Sequence, residues 1–79
     1  MQLDERKIDD AVLALLYLTL HDGNRAWKTI DWEAMNRLHQ RGFISNPADR
    51  AKSVTLTDHG LALSKRIAQT LFAHQVLAL

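Results

Sequence analysis

Residues 37–60 read RLHQRGFISNPADRAKSVTLTDHG, and the arrangement of the chain follows from their order. Leu38 closes an apolar helical face, and Gly42 follows it. Glycine enters the left-handed region at little cost, so it stops a helix at that point. Phe43 and Ile44 then open a short extended segment. Ser45-Asn46-Pro47-Ala48-Asp49 is turn chemistry: proline fixes its own φ and biases Asn46 away from helix. Lys52-Ser53-Val54-Thr55-Leu56 alternates polar with apolar, the period of a half-buried strand. Thr57 can cap a new helix through its hydroxyl. Gly60 lets the first turn of that helix lie close to a neighbour. The expected order is helix, antiparallel ribbon around the Pro47-Ala48-Asp49 turn, helix.

Upstream, Asp4 can cap a first helix whose early acidic residues suit the helix dipole. From Ala11 to Leu20 that helix is apolar nearly all round, so it is expected to be buried on more than one side. His21-Asp22-Gly23-Asn24 ends it, with Gly23 as the left-handed residue. Residues 23–30, GNRAWKTI, are read as a connecting loop in which Trp27 plugs the core. Asp31 caps the next helix, expected over roughly 32–41, with Trp32, Met35 and Leu38 facing inward. Asn36, Arg37, Gln40 and Arg41 are expected mostly on its outer side.

Downstream, the last helix is expected from about Asp58 to Ala73 or beyond. Leu61, Ser64, Ala68, Leu71, Phe72 and Gln75 form one stripe on it, and Leu63, Ile67 and Leu71 its neighbour. Val76-Leu77-Ala78-Leu79 extends the apolar character. Large exposed apolar patches mark interaction sites. A homodimer through the first and last helices is therefore expected, with a frayed tail as the plainer alternative.

Leu38, Gly42-Phe43-Ile44 and Val54-x-Leu56-Thr57-x-x-Gly60 together resemble the wing signature of bacterial winged-helix regulators of the multiple-antibiotic-resistance type. That resemblance covers about a third of the chain. It implies a recognition helix before the ribbon and double-stranded DNA as partner. Residues 23–30 depart from that pattern, because they leave little room for the helix that should precede the recognition helix. A second resemblance spans Lys7 to Asp22, Arg25-Ala26-Trp27-Lys28 and Ala51-Lys52-Ser53-Val54. It is to a family of small uncharacterised bacterial proteins, a domain of unknown function, and it implies no activity.

On the regulator reading, Asn36, Arg37, Gln40 and Arg41 would reach base edges, since these side-chain types pair with adenine and guanine in the major groove. Arg50 and Lys52 at the ribbon tip would meet phosphate, and Arg25 and Lys28 would add backbone contacts. The same residue types also suit an ordinary solvated helix face and an ordinary turn. The alternative is a protein-interaction or dimerisation module on the same scaffold, with no nucleic-acid binding.

Composition sets the outer limits. Seventy-nine residues make one domain, 1–79, with a small core. Hydrophobic residues are 47% of the chain, and the net charge is +1, too small for a strong overall field. The charge is uneven: residues 1–20 carry a net −2 and residues 21–56 a net +2. With no cysteine, neither a disulfide nor a thiolate zinc site can form. His21, His39, His59 and His74 have no metal-ligand spacing, so no metal is expected. Asp9 and Asp10 are adjacent and diverge by about 100° on a helix. No phosphate-cradling glycine loop and no nucleophile–base set is present. The chain is expected to be neither an enzyme nor a cofactor binder. Its acidic start and short apolar run fit neither a signal peptide nor a membrane span, which points to a soluble cytoplasmic protein. The expected architecture is mostly α with a β-hairpin: a compact winged-helix-like domain in the order helix, loop, helix, two-stranded wing, helix.

Overall fold

The computed structural model describes residues 1–29 and 31–74. The chain forms helix α1 (Glu5–Leu18), strand β1 (Arg25–Trp27), helix α2 (Trp32–Gln40), strand β2 (Ser53–Thr55) and helix α3 (Asp58–Phe72). It is mostly α, with one two-stranded antiparallel sheet.

Each helix begins where its capping residue dictates. The Asp4 carboxylate accepts from the Arg6 and Lys7 amides at 2.9 and 3.2 Å. The Asp31 carboxylate accepts from the Ala34 amide at 3.0 Å. Thr57 Oγ1 accepts from the Gly60 amide at 3.0 Å and donates to the Gly42 carbonyl at 2.7 Å. It thus caps α3 and ties it to the end of α2. Gly42 has φ +79°, and the chain leaves α2 through paired bonds from Gly42 N–H to His39 O and Phe43 N–H to Leu38 O. These satisfy carbonyls that the helix end would otherwise leave open. After α1, Asp22 and Gly23 have φ values of +50° and +87°. That turn lets His21 and Arg25 pair through two backbone bonds.

The fold-back after Gly42 is present but narrow. Ile44 bridges Leu56, the Ser45 amide donates to the Thr55 carbonyl at 2.8 Å, and the Thr57 amide donates to the Phe43 carbonyl at 3.0 Å. Asn46 and Asp49 hold the intervening turn by accepting from the Ala48 and Ala51 amides. The longer pairing of β2 is with β1, in the register Arg25↔Thr55, Ala26↔Val54 and Trp27↔Ser53. The segment expected to be only a loop is therefore a strand. Ala26 faces the core, and Trp27 points away from it.

Leu13, Leu16, Met35, Leu38, Val54 and Leu56 form the centre of the core, with Phe43 and Ile44 closing it. Met35 and Leu38 face inward as their spacing implies. Two tryptophan expectations are corrected: Trp27 does not plug the core, and Trp32 does not face it. Both are about half exposed. On β1 the alternation leaves Trp27 on the outer side, and on α2 the buried positions are Ala34, Met35 and Leu38. Helix α1 packs most extensively on α3. Buried Ala14 on α1, and Ser64 and Ala68 on α3, are small enough to permit that approach, while Gly60 lies against the Phe43 backbone. Leu15 and Leu18 nevertheless face solvent, so α1 is not covered all round. The Gln75 position of the α3 stripe and the apolar stretch Val76–Leu79 lie outside the described residues.

Candidate functional site

The outer face of α2 is built around Arg37. Its Nε donates to both Asp9 carboxylate oxygens at 2.9 Å, and its Nη2 donates to Oδ1 at 2.7 Å. Its Nη1 donates to Glu5 at 3.0 Å. Asp9 is 3% exposed, so this carboxylate has left water for the guanidinium. The Asp9 hydrogen bond raises the Arg37 pKa above its ordinary value, and the charge is permanent. Arg37 therefore reaches back to α1 instead of projecting outward. Asp31 and Glu33 line the same cleft, about 480 Å³, together with Glu5 and Arg37. Four carboxylates around one arginine, those of Glu5, Asp9, Asp31 and Glu33, make this end of α2 unfavourable to phosphate.

The other residues expected at a DNA interface are dispersed. Asn36 and Gln40 are exposed. The Arg41 guanidinium lies over the Phe43 ring at 4.7 Å and is partly buried, with no hydrogen-bond partner for Nη1 among the described residues. Lys28 Nζ donates to the Asp49 carbonyl at 2.8 Å and its carboxylate at 2.9 Å, and the Lys28 side chain is 9% exposed. The hydrogen bond from Lys28 holds the Asp49 carboxyl below its ordinary value. Arg25 meets Asp22 at 3.5 Å on the surface. Arg50 and Lys52 are exposed and form no ion pair among the described residues. The β1–β2 register sets Lys28 beside Lys52, joined by a bond from the Lys28 amide to the Lys52 carbonyl. The two basic residues that the fold holds most firmly, Arg37 and Lys28, are also the two matched to carboxylates.

A different surface lies between α1 and α3. Lys7, Asp10 and Ala11 face Arg66, Ile67, Thr70 and Leu71 across a groove of about 490 Å³. Ala11, Leu15 and Leu18 fall within about 60° on the α1 surface. Leu18 is 60% exposed and Leu71 is 52% exposed, with Leu15 and Phe72 close behind. Half-exposed large apolar side chains thus stand on both helices.

Three of the four histidines, His21, His39 and His59, make contacts within the scaffold. His21 stacks on Trp27 with centroids 4.2 Å apart, and its Nε2 lies 3.2 Å from Ser53 Oγ. His39 Nδ1 lies 3.0 Å from the Ile44 carbonyl oxygen, and His59 meets the edge of Phe43. Among the described residues no three of His, Asp and Glu converge as metal ligands, and no helix is long and apolar enough to cross a membrane.

Asp9 had a legible signal that the sequence reading passed over. It shares a helical face with Val12, Leu13 and Leu16, and a carboxylate there requires a buried cation. Nothing local identified Arg37 as that cation.

Comparison with known proteins places the chain. The family DUF6429, described as a domain of unknown function, matches residues 4–74. The chain belongs to this family. It is also similar to the uncharacterized protein y4hR of Sinorhizobium fredii (strain NBRC 101917 / NGR234). The two are 54% identical over 72 residues, covering 91% of this chain and 97% of the relative. No solved structure matches.

Proposed function

We propose that this DUF6429 chain is a protein-interaction module, a three-helix scaffold that docks a polypeptide on its α1–α3 face. The observation that carries this reading is exposed apolar surface on both helices: Ala11 and half-exposed Leu71 line the groove, and half-exposed Leu15 and Leu18 continue the Ala11 face along α1. Leaving such side chains half exposed on both long helices of a small domain forgoes burial worth roughly 1 kcal/mol for each, about half of what a fully exposed side chain would gain. A docked polypeptide would recover it.

A photo-reactive residue at Leu18 provides the test, with a control at Glu33. The expected result is a polypeptide adduct at position 18 that disappears in the Leu15→Glu background, and none at position 33. Equal labelling at both positions would overturn the reading.

Regulation of transcription through duplex DNA is the second reading. Open Asn36 and Gln40 on α2, with open Arg50 and Lys52 at the ribbon, favour it. The engagement of Arg37 and Lys28 by carboxylates counts against it. Fluorescence anisotropy with a random-sequence duplex decides between the two. The interaction reading expects no complex at low salt. A complex that weakens steeply with added salt, and is lost on Arg50→Ala with Lys52→Ala, would favour the duplex instead.

A further inference from the structure

Three charged side chains border the α1–α3 groove: Lys7 and Asp10 from α1, and Arg66 from α3. Among the described residues none of them forms an ion pair within the chain. The apolar strip of α1 and Leu71 lie beside them. One face therefore carries both signs of unmatched charge and its own apolar strip. That is the composition of a surface complementary to itself. In a two-fold dimer the same patch serves both subunits, and every contact occurs twice.

Size sets how tightly such a pair would hold. Helix α1 has 14 residues and α3 has 15. At about 1.5 Å per residue each is about 21–22 Å long, and two helices abreast are about 20 Å wide. Such a face projects about 430 Å², roughly half of the about 800 Å² that each partner of a standard interface buries, which is the size of a weak, concentration-dependent association. A foreign peptide would have to reproduce the same alternation of charge and apolar surface. A second copy carries it already.

We infer that the occupant of the α1–α3 face is a second copy of this chain, packed two-fold so that Asp10 of one copy meets Lys7 and Arg66 of the other. This rests on the reading of that face as a docking surface. The apolar strips cover one another along the axis, and the charged residues fix the register. Rim charges of this kind tune specificity more than they supply affinity.

Sedimentation velocity across low to high micromolar concentration tests the inference, with circular dichroism confirming that each variant is folded. Wild-type protein is expected to dimerise. Leu15→Glu with Leu71→Glu is expected to be monomeric throughout. Asp10→Lys alone is expected to weaken association about tenfold, equivalent to about 1.4 kcal/mol, as is the pair Lys7→Glu and Arg66→Glu. Mixing these two charge variants is expected to restore association as a heterodimer. A folded wild-type monomer at high micromolar concentration would overturn the second copy as occupant. The Leu18 cross-link would then still judge the docking face separately. A dimer indifferent to Leu15 and Leu71 would place the interface elsewhere and overturn the inference. Charge variants that fail to recombine would overturn the Asp10 pairing.

Discussion

Gly60 shows how little room the first turn of α3 has. A Cβ built there overlaps the Phe43 backbone carbonyl, which cannot swing aside as a flexible side chain would. Gly60→Ala is expected to destabilise the domain by about 2 kcal/mol, read as a lowered denaturation midpoint. Gly42 is constrained differently: space is open around it, but its φ of +79° strains any side-chain-bearing residue. Gly42→Ala is expected to cost about 1 kcal/mol, and Gly42→Asn less. Asp49 supplies a pH-dependent prediction. Its folded pKa is lowered, chiefly by Lys28, so its contribution is present above the unfolded pKa and fades as pH falls through the folded one. The stability gap between wild type and Lys28→Met should therefore shrink as pH drops below the ordinary carboxylate value of 3.8. A gap that stays constant through that range would contradict the assignment.

At the level of elements, α1 and α2 are joined by a buried carboxylate and a partly exposed guanidinium. Removing only the acid leaves Arg37 facing an apolar cavity, although Glu5 still engages it. Asp9→Ala is expected to cost about 2 kcal/mol, below the usual range for breaking a buried pair because Arg37 retains some solvent. Replacing both partners together, Asp9→Leu with Arg37→Met, is expected to leave stability near wild type, since no charge is then stranded. Chemical denaturation of the two variants separates these outcomes. The ribbon teaches a related point. Strand β2 reads as a strand from its alternation, but three residues of β1 carry no comparable local signal. Arg25-Ala26-Trp27 becomes a strand because Val54 needs an apolar neighbour and the Asp22-Gly23 turn delivers Ala26 to it. Sequence spacing also put Trp32 on the inward side of α2, and packing reversed this. Ala34, Met35 and Leu38 fill the available depth, leaving the indole outside.

For the whole molecule, both tryptophans lie at the surface, which gives a direct optical check. Acrylamide should quench the folded protein almost as well as the unfolded one, because Trp27 and Trp32 are its only indoles. A large shielded fraction would restore Trp27 to the core. The helix starts at Asp4, Asp31 and Thr57, the stop at Gly42 and the fold-back after it were all determined by the sequence itself, whereas α1, expected to run on to the His21–Asn24 turn, already ends at Leu18 with Thr19 as its cap and leaves Gly23 to the turn beyond. Caps and left-handed glycines act within a few residues, so their physics is complete locally. The partners of Arg37 and Lys28, the β1–β2 pairing and the groove between α1 and α3 were decided only by the tertiary structure. Each joins segments about 20 residues or more apart. A charge or an apolar face declares its need in the sequence, but only the folded chain determines what meets it.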